Sequence, residues 1–340
     1  MNLRVWLAFG LGLATVAVAG CDGREGREGR AGDGPADTPL APAGGAPAVT
    51  AVTPSAAGRG DAAPVLARAA VAEDRRGGPG LTALAPIVDG ALIVVPIASD
   101  APVAGRYLTL DEGMRRGLVS VRELPDTDYG TLRVHNRSEL TLCLVAGEVV
   151  LEGHQDRTFA ESLAVAPRSR AEIDVRCVEP DRSEGPGRRL VSAQTMVHPE
   201  LRRLLFQGSQ ARVWEEVKRK NAVHGQGNAT NTYRGTARLQ HTGGQAEWRD
   251  RVLASLAAMP GRERVVGLAV ALEGRLIAVD VFAAPELYRA LEPKLVGAAV
   301  AQGVEARREL RAPRPEEIAA LLAGARRTGC SQTVMARPLE

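Results

Sequence analysis

The chain has 340 residues, and its 43 Lys and Arg nearly cancel its 40 Asp and Glu, leaving a net charge of +3. Aromatic residues make up only 3% of it. With neither a basic stripe nor a set of stacking aromatics, the composition excludes nucleic acid as the expected partner.

At the amino terminus, Met1-Asn2-Leu3-Arg4 is a short positive segment, and Val5 to Val18 is an apolar run too short to span a bilayer as a stable helix. Val18-Ala19-Gly20-Cys21 follows and resembles the bacterial lipobox, in which the cysteine is acylated and becomes the new amino terminus after cleavage. Residues 1–20 are therefore expected to be a lipoprotein signal peptide and Cys21 the lipidation site. Several acyl chains on one residue anchor far more firmly than one. The partner this predicts is a membrane, with the chain lipid-anchored outside the cytoplasm in a bacterial cell envelope. Asp22 resembles the inner-membrane retention signal of some bacteria, and the choice between inner and outer membrane stays open.

Residues 21–80 are Gly, Ala, Pro and Arg with hardly any large apolar residue, and include the repeat Gly23-Arg24-Glu25-Gly26-Arg27-Glu28-Gly29-Arg30. Such a segment buries too little apolar area to offset its ordering entropy, so a disordered tether is expected. The roughly 260 residues that remain suffice for a sizeable core.

An α+β fold is expected there: an antiparallel β meander or sandwich in the first half, mixed helices with a β-hairpin in the second. Leu92 to Ile97 is a continuous apolar run of strand length. Thr109 with Glu112 three residues on is a capping box, and Gly117 is a natural stop, which predicts a short helix between them. Strands follow at Leu118–Leu124, Thr131–Asn136, Leu140–Val145, Glu148–Leu151, Thr158–Leu163 and Ala171–Glu179, separated by turn residues. Ile173, Val175 and Cys177 share one face, with charged residues on the other.

Helices are predicted at Pro199–Leu205 and Gln207–Lys220, then a long polar loop over Asn221–Gly244, then a helix at Ala246–Ala258. Arg264–Leu272 and Leu276–Phe282 read as a hairpin joined at Glu273-Gly274-Arg275. Pro285 opens a helix to about Gly303. Residues 311–340 read as a terminal helix, Pro315–Ala325, and a tail. With Cys21 lipidated, Cys143, Cys177 and Cys330 remain, so at most one intramolecular disulfide forms and one thiol stays free. Neither GxGxxG nor a P-loop nor HExxH is present, and no cofactor is expected.

Four segments stand out: Tyr107-Leu108-Thr109-Leu110-Asp111-Glu112, then Gly147-Glu148 with Gln155-Asp156-Arg157, then Cys177-Val178-Glu179, then Phe282-Ala283-Ala284-Pro285-Glu286-Leu287-Tyr288. In this order, over Leu81 to Leu310, the chain resembles the ARPP-1 domain, named for ARG and rhodanese-phosphatase superfamily-associated protein. The resemblance implies a role near ADP-ribose or phosphorylated nucleotide derivatives.

The candidate ligand-binding or catalytic residues are Glu148, Gln155, Asp156, Arg157, Cys177 and Glu179. A strand carboxylate beside apolar neighbours, such as Glu148, can act as an acid or base, or simply pair with an arginine such as Arg157. Gln155 and Arg157 lie two apart on an extended segment and so point the same way, with Arg157 offering a planar fork to a small anionic ligand. Cys177 on the apolar face is either a buried thiol or a nucleophile needing a nearby cation. His154 and Asp156 share a metal-like spacing, but two ligands are too few, and no metal is expected. Three functions remain open: a tethered binding module for a small polar or phosphorylated ligand, a hydrolase with a glutamate base and Arg157 as charge stabiliser, and an envelope protein engaging unknown protein partners through the 221–244 loop.

Overall fold

The computed structural model describes residues 80–102, 105–124, 130–182, 189–306 and 311–336. The expected signal peptide, the expected lipidation site Cys21 and the expected tether as far as residue 79 lie outside the described residues.

The first half runs β1 (Leu81–Ala83), β2 (Ile87–Asp89), β3 (Leu92–Ser99), β4 (Tyr107–Thr109), α1 (Leu110–Arg115), β5 (Val119–Glu123), β6 (Thr131–Asn136), β7 (Thr141–Leu144) and β8 (Glu148–Leu151). It continues through β9 (Arg157–Phe159), β10 (Leu163–Val165), β11 (Arg170–Cys177) and β12 (Val191–Met196). The second half has α2 (Pro199–Gln207), α3 (Gln210–Val223), α4 (Arg234–Leu239), α5 (Gly243–Ala258), β13 (Val265–Leu272), β14 (Arg275–Phe282), α6 (Pro285–Gly303), α7 (Pro315–Ala323), β15 (Arg326–Arg327) and β16 (Ser331–Met335).

The fold is α+β, as the residue patterns predict. A seven-stranded sheet has the order β1-β3-β13-β14-β16-β15, with β2 also on β3. Its central strands β3 and β13 are buried along their whole length, because both faces are covered. Leu92, Val94, Leu268 and Val270 pack with Leu287, Tyr288, Leu291 and Leu295 of α6. Their neighbours Ile93, Val95, Ala269 and Ala271 pack with Ile318 and Leu322 of α7. This is why these strands read as continuous apolar runs rather than alternating ones.

A six-stranded sheet, β12-β8-β9-β11-β6-β5, faces a three-stranded one, β10-β7-β4. The expected sandwich lies between them: Val121, Val134, Val150, Phe159, Ile173 and Val175 meet Leu108, Leu142, Leu144 and Val165. One register step away, Val149 joins Val178, Val197, Leu201, Val213, Val217 and Tyr233, the apolar cluster under α2, α3 and α4. Cys143 in β7 is disulfide-bonded to Cys330 just before β16, which ties the three-stranded sheet to the last strand.

Local chemistry explains the main turns. Glu112 N–H donates to Thr109 Oγ1 at 3.3 Å, so the threonine half of the capping box forms. The Glu112 carboxylate instead accepts from Arg116 at 2.7 Å. In the hairpin, Glu273 and Gly274 have φ of +49° and +69°. Two left-handed residues make a type I′ turn, so the connection is two residues rather than three.

Three expectations need correction. The single strand over Thr158–Leu163 is two strands in different sheets, broken at residues 160–162, where Ala146 N–H donates to Ser162 Oγ at 3.0 Å. The 221–244 loop contains α4, and the rest is folded on its own amides: Asn221 Nδ2 donates to Thr232 O at 3.0 Å, and Asn228 Oδ1 accepts from Thr232 N–H at 3.0 Å. Residues 331–335, read as tail, form β16 beside β14 in the main sheet. Among the described residues, no helix is long and apolar enough to cross a membrane.

Candidate functional site

The turn into β8 shows why its sequence begins Gly-Glu. Gly147 has φ +95°, and a Cβ there would lie 2.7 Å from Cγ of Arg202. Arg202 crosses the backbone at this point. Its Nε donates to Ala146 O at 3.0 Å, and its two terminal nitrogens donate to Asp280 at 3.0 and 2.9 Å. Only glycine leaves room for that passage.

Glu148 is fully buried. Its carboxylate accepts from Val145 N–H at 2.9 Å and from Lys294 Nζ on α6 at 2.6 Å. Lys294 also reaches Asp111 at 2.7 Å, and Asp111 accepts from Ser192 Oγ at 2.5 Å. Burial raises the Glu148 carboxyl, with Lys294 opposing it. Burial disfavours the Lys294 ammonium, but Glu148 and Asp111 outweigh that and raise it. The expected arginine partner is thus replaced by a lysine 146 residues away. The group joins α1, β8, β12 and α6 as an internal staple.

The other candidates meet where β8, β9 and β11 end. Asp156 is fully buried, Arg157 is 1% exposed and Glu179 is 4% exposed. Arg157 donates to Gln155 Oε1 at 2.6 Å, so these two side chains do converge. Gln155 in turn donates to the carbonyl of Arg182. Glu179 accepts from Asp156 N–H at 3.0 Å, from Arg182 at 2.7 Å and from Thr230 Oγ1 at 2.8 Å. Asp156 accepts from Thr232 Oγ1 at 2.7 Å and from Arg234 at 2.8 and 3.1 Å.

Two buried carboxylates therefore hold two arginines, Arg182 and Arg234, whose side chains remain 27% and 35% exposed. Arg182 Nε makes no hydrogen bond to any described residue. Thr230, Thr232 and Arg234 were hidden within the polar 221–244 stretch. Their alternation of small hydroxyls with a charge is the only sequence signal that marks them.

Cys177 is buried, and burial raises its thiol above the ordinary value, with the Glu179 backbone and Arg157 opposing. Its sulfur donates to Glu179 O at 3.2 Å. That is the environment of an inert thiol rather than of a nucleophile. His154 turns away from Asp156 and pairs with Glu123 at 2.5 Å. Among the described residues, no group of three or more His, Cys, Asp or Glu side chains could hold one metal ion.

The structure thus divides the candidates. Gln155, Asp156, Arg157, Cys177 and Glu179 come together, while Glu148 belongs to the staple with Lys294. Two cavities of about 200 and 220 Å³ open elsewhere, and no candidate residue lines either.

Comparison with curated proteins finds no match, and comparison with solved structures finds none either. The model of one family, the ARG and Rhodanese-Phosphatase-superfamily-associated Protein domain, matches residues 80–336 and takes in both charged clusters and the last strand, so the chain belongs to the ARPP-1 family.

Proposed function

We propose that this chain is a lipid-tethered, extracytoplasmic binding module that takes a small polar or phosphorylated ligand, of the ADP-ribose or nucleotide kind, at the rim formed by Gln155, Arg182 and Arg234. The observation that carries this is the pair of partly exposed arginines, Arg182 and Arg234, held by buried Asp156 and Glu179. A guanidinium fixed on one side by a carboxylate still has outward N–H groups, and its fork matches phosphate.

The same contacts favour binding over hydrolysis. Both oxygens of Glu179 already accept hydrogen bonds, from Thr230 on one side and from Asp156 N–H and Arg182 on the other. Taking a proton from water would require breaking that arrangement. Its role in this reading is to aim arginines.

The test is a titration of the full-length protein with ADP-ribose and, separately, pyrophosphate, followed by calorimetry and by product analysis. Binding without product is expected. A ligand at one hundred times its Kd raises stability by about 2.7 kcal/mol. Turnover of ADP-ribose would replace this reading with the hydrolase, and binding that survives Arg182→Ala with Arg234→Ala would remove the rim. The tether is tested apart from the ligand: Cys21→Ser should move the protein from the membrane fraction to the soluble one.

A further inference from the structure

The outer face of the six-stranded sheet carries charge of one sign at one end. Val119 and Val121 of β5, Leu132 and Val134 of β6, and Ile173 and Val175 of β11 turn into the sandwich. The alternate positions Arg122, Arg133, His135 and Arg170 therefore face outward. The register sets them side by side. His135 lies opposite Arg170 on one neighbour and Ser120 on the other, and Arg133 lies opposite Arg122. Neighbouring strands run about 4.8 Å apart, so these positions form one patch. Arg137 and Arg168 extend it, just past β6 and just before β11. Arg137 donates to Gly117 O at 2.7 Å, which brings in Arg115 and Arg116 at the end of α1.

Seven arginines here meet three glutamates. Glu112, Glu139 and Glu172 are each taken by one arginine, respectively Arg116, Arg168 and Arg133. Arg115, Arg122, Arg137 and Arg170 are exposed, and no carboxylate among the described residues pairs with any of them. The excess of four positive charges is larger than the +3 of the entire chain. Asp174, exposed farther along β11, marks where the patch stops. The field is felt at its centre: burial lowers the His135 imidazole below its ordinary 6.5, and Arg170, Arg137 and Arg122 lower it further. No stretch of sequence shows this concentration, because the seven arginines come from α1, β5, β6, β11 and two turns.

Like charges without counter-ions repel, and an anion brought against them relieves that repulsion. The shape of the patch narrows the choice of anion. It is an open sheet face three strands wide, better fitted to a surface than to a small enclosed ion. It holds no Phe, Tyr or Trp on which single-stranded bases would stack. The lipid tether proposed above keeps a phosphate-bearing surface within reach, and the choice of partner rests on that reading.

We infer that the folded domain lies against the membrane through this face, with Arg122, Arg137 and Arg170 among the phosphates of anionic lipid headgroups. Each arginine near such a surface strengthens association about fivefold. A handful of such contacts orients a tethered domain, whose effective concentration at the bilayer is already high. The pose leaves the proposed ligand rim free. Glu179 lies past the far end of β11 from Arg170, and eight strand residues span roughly 25 Å.

The experiment is arginine footprinting with phenylglyoxal, read residue by residue by mass spectrometry. The full-length protein is reconstituted by detergent removal with vesicles of phosphatidylcholine alone or with phosphatidylglycerol added. Two further arms replace the vesicles by glycerol phosphate and by duplex DNA. At physiological salt, about 0.15 M, the anionic vesicles should shield Arg122, Arg137 and Arg170 at least about fivefold more than phosphatidylcholine does. The shielding should vanish at about 1 M salt, and Arg251 on α5 should react alike throughout. Arg122→Gln with Arg170→Gln removes two side chains that hold no carboxylate. It should return Arg137 to its reactivity on phosphatidylcholine while the unfolding midpoint stays near that of the parent. Equal reactivity on both vesicles, shielding by glycerol phosphate, or stronger shielding by DNA than by anionic vesicles would each overturn the inference. Sedimentation reports the anchor separately. A protein that pellets with both vesicles and is shielded on neither loses this face and keeps the tether. One that pellets only with the anionic vesicles keeps the face and loses the tether.

Discussion

Glu148 and Glu179 are both buried glutamates of the same six-stranded region, yet they are held in different ways. Glu148, at the start of β8, is met by Lys294 from the middle of α6, and the lysine is spent on a second carboxylate, Asp111. Nothing in that group reaches far into solvent: the side chains of Glu148 and Lys294 are 0% and 4% exposed. Glu179, past the end of β11, is met by Arg182, a hydroxyl and a backbone amide, all from turns and loops. Its cation is part-exposed and has donor capacity left. Buried charge by itself therefore does not locate a site. What separates the two is whether the counter-ion ends in the core or continues to the surface.

The largest effect that would test this contrast is at the staple. Lys294→Met leaves two carboxylates without their ammonium, and should lower stability by about 3–5 kcal/mol in urea unfolding. Adding Glu148→Gln to it should recover part of the loss. A cost under about 1 kcal/mol would mean that the staple is not closed as described.

A second test uses pH on the buried chain beneath α2. Burial, with Lys220 nearby, holds His198 down to about 4 from its ordinary 6.5, against the opposing pull of Glu216. A histidine depressed on folding binds its proton more readily when unfolded, so stability is complete above pH 6.5 and falls as pH drops towards 4. Glu216 is opposed by its burial but drawn down to about 2 by Arg219 and His198, so its contribution is lost at lower pH, between 4.5 and 2. The first window is worth up to about 3 kcal/mol. Denaturant midpoints measured from pH 7 to 4 should fall, and should flatten in His198→Gln. Flat midpoints in the parent would show that His198 is not held neutral.

Smaller effects belong to the loop cluster. Arg234→Ala removes a bidentate contact that is a third exposed, and should cost only about 1 kcal/mol. Its clearer sign is local: amide exchange over residues 226–234 should quicken while the core strands stay protected. Smallest in stability is Arg182→Ala, expected within about 1 kcal/mol of the parent, with at least about tenfold weaker ADP-ribose binding. If Arg182→Ala unfolded the protein as Lys294→Met is expected to, the distinction between staple and rim would fail.

Much of the fold was legible because its rules are local. β11 alternates cleanly, the Thr109 cap and Gly117 bracket α1, and the hairpin residues Glu273 and Gly274 carry their turn chemistry openly. β12 was not legible. Its sequence, Val-Ser-Ala-Gln-Thr-Met, has little apolar alternation, and Gln194 takes φ +58° where the register shifts against β8. β16 was invisible for another reason, since a five-residue strand with two polar buried positions is specified by β14 rather than by its own pattern.

The site divides along the same line. Gln155 and Arg157 could be paired from their spacing. Lys294 could not be assigned to Glu148, because ordinary helix positions in α6 carry no mark of what they face across 146 residues.

The bond between Cys143 and Cys330 closes a ring of 187 residues in sequence separation. A crosslink of that span constrains the unfolded chain by about 5 kcal/mol on the loop-entropy account. It also sets an order of events. The ring can close only after both cysteines meet under conditions where thiols oxidise. Until then β14 has an open edge where β16 belongs, and that edge is a template for pairing with other chains. Folding of the domain therefore passes through a vulnerable interval that lasts until β16 docks on β14, and anything that shields that edge meanwhile would govern the yield of folded protein.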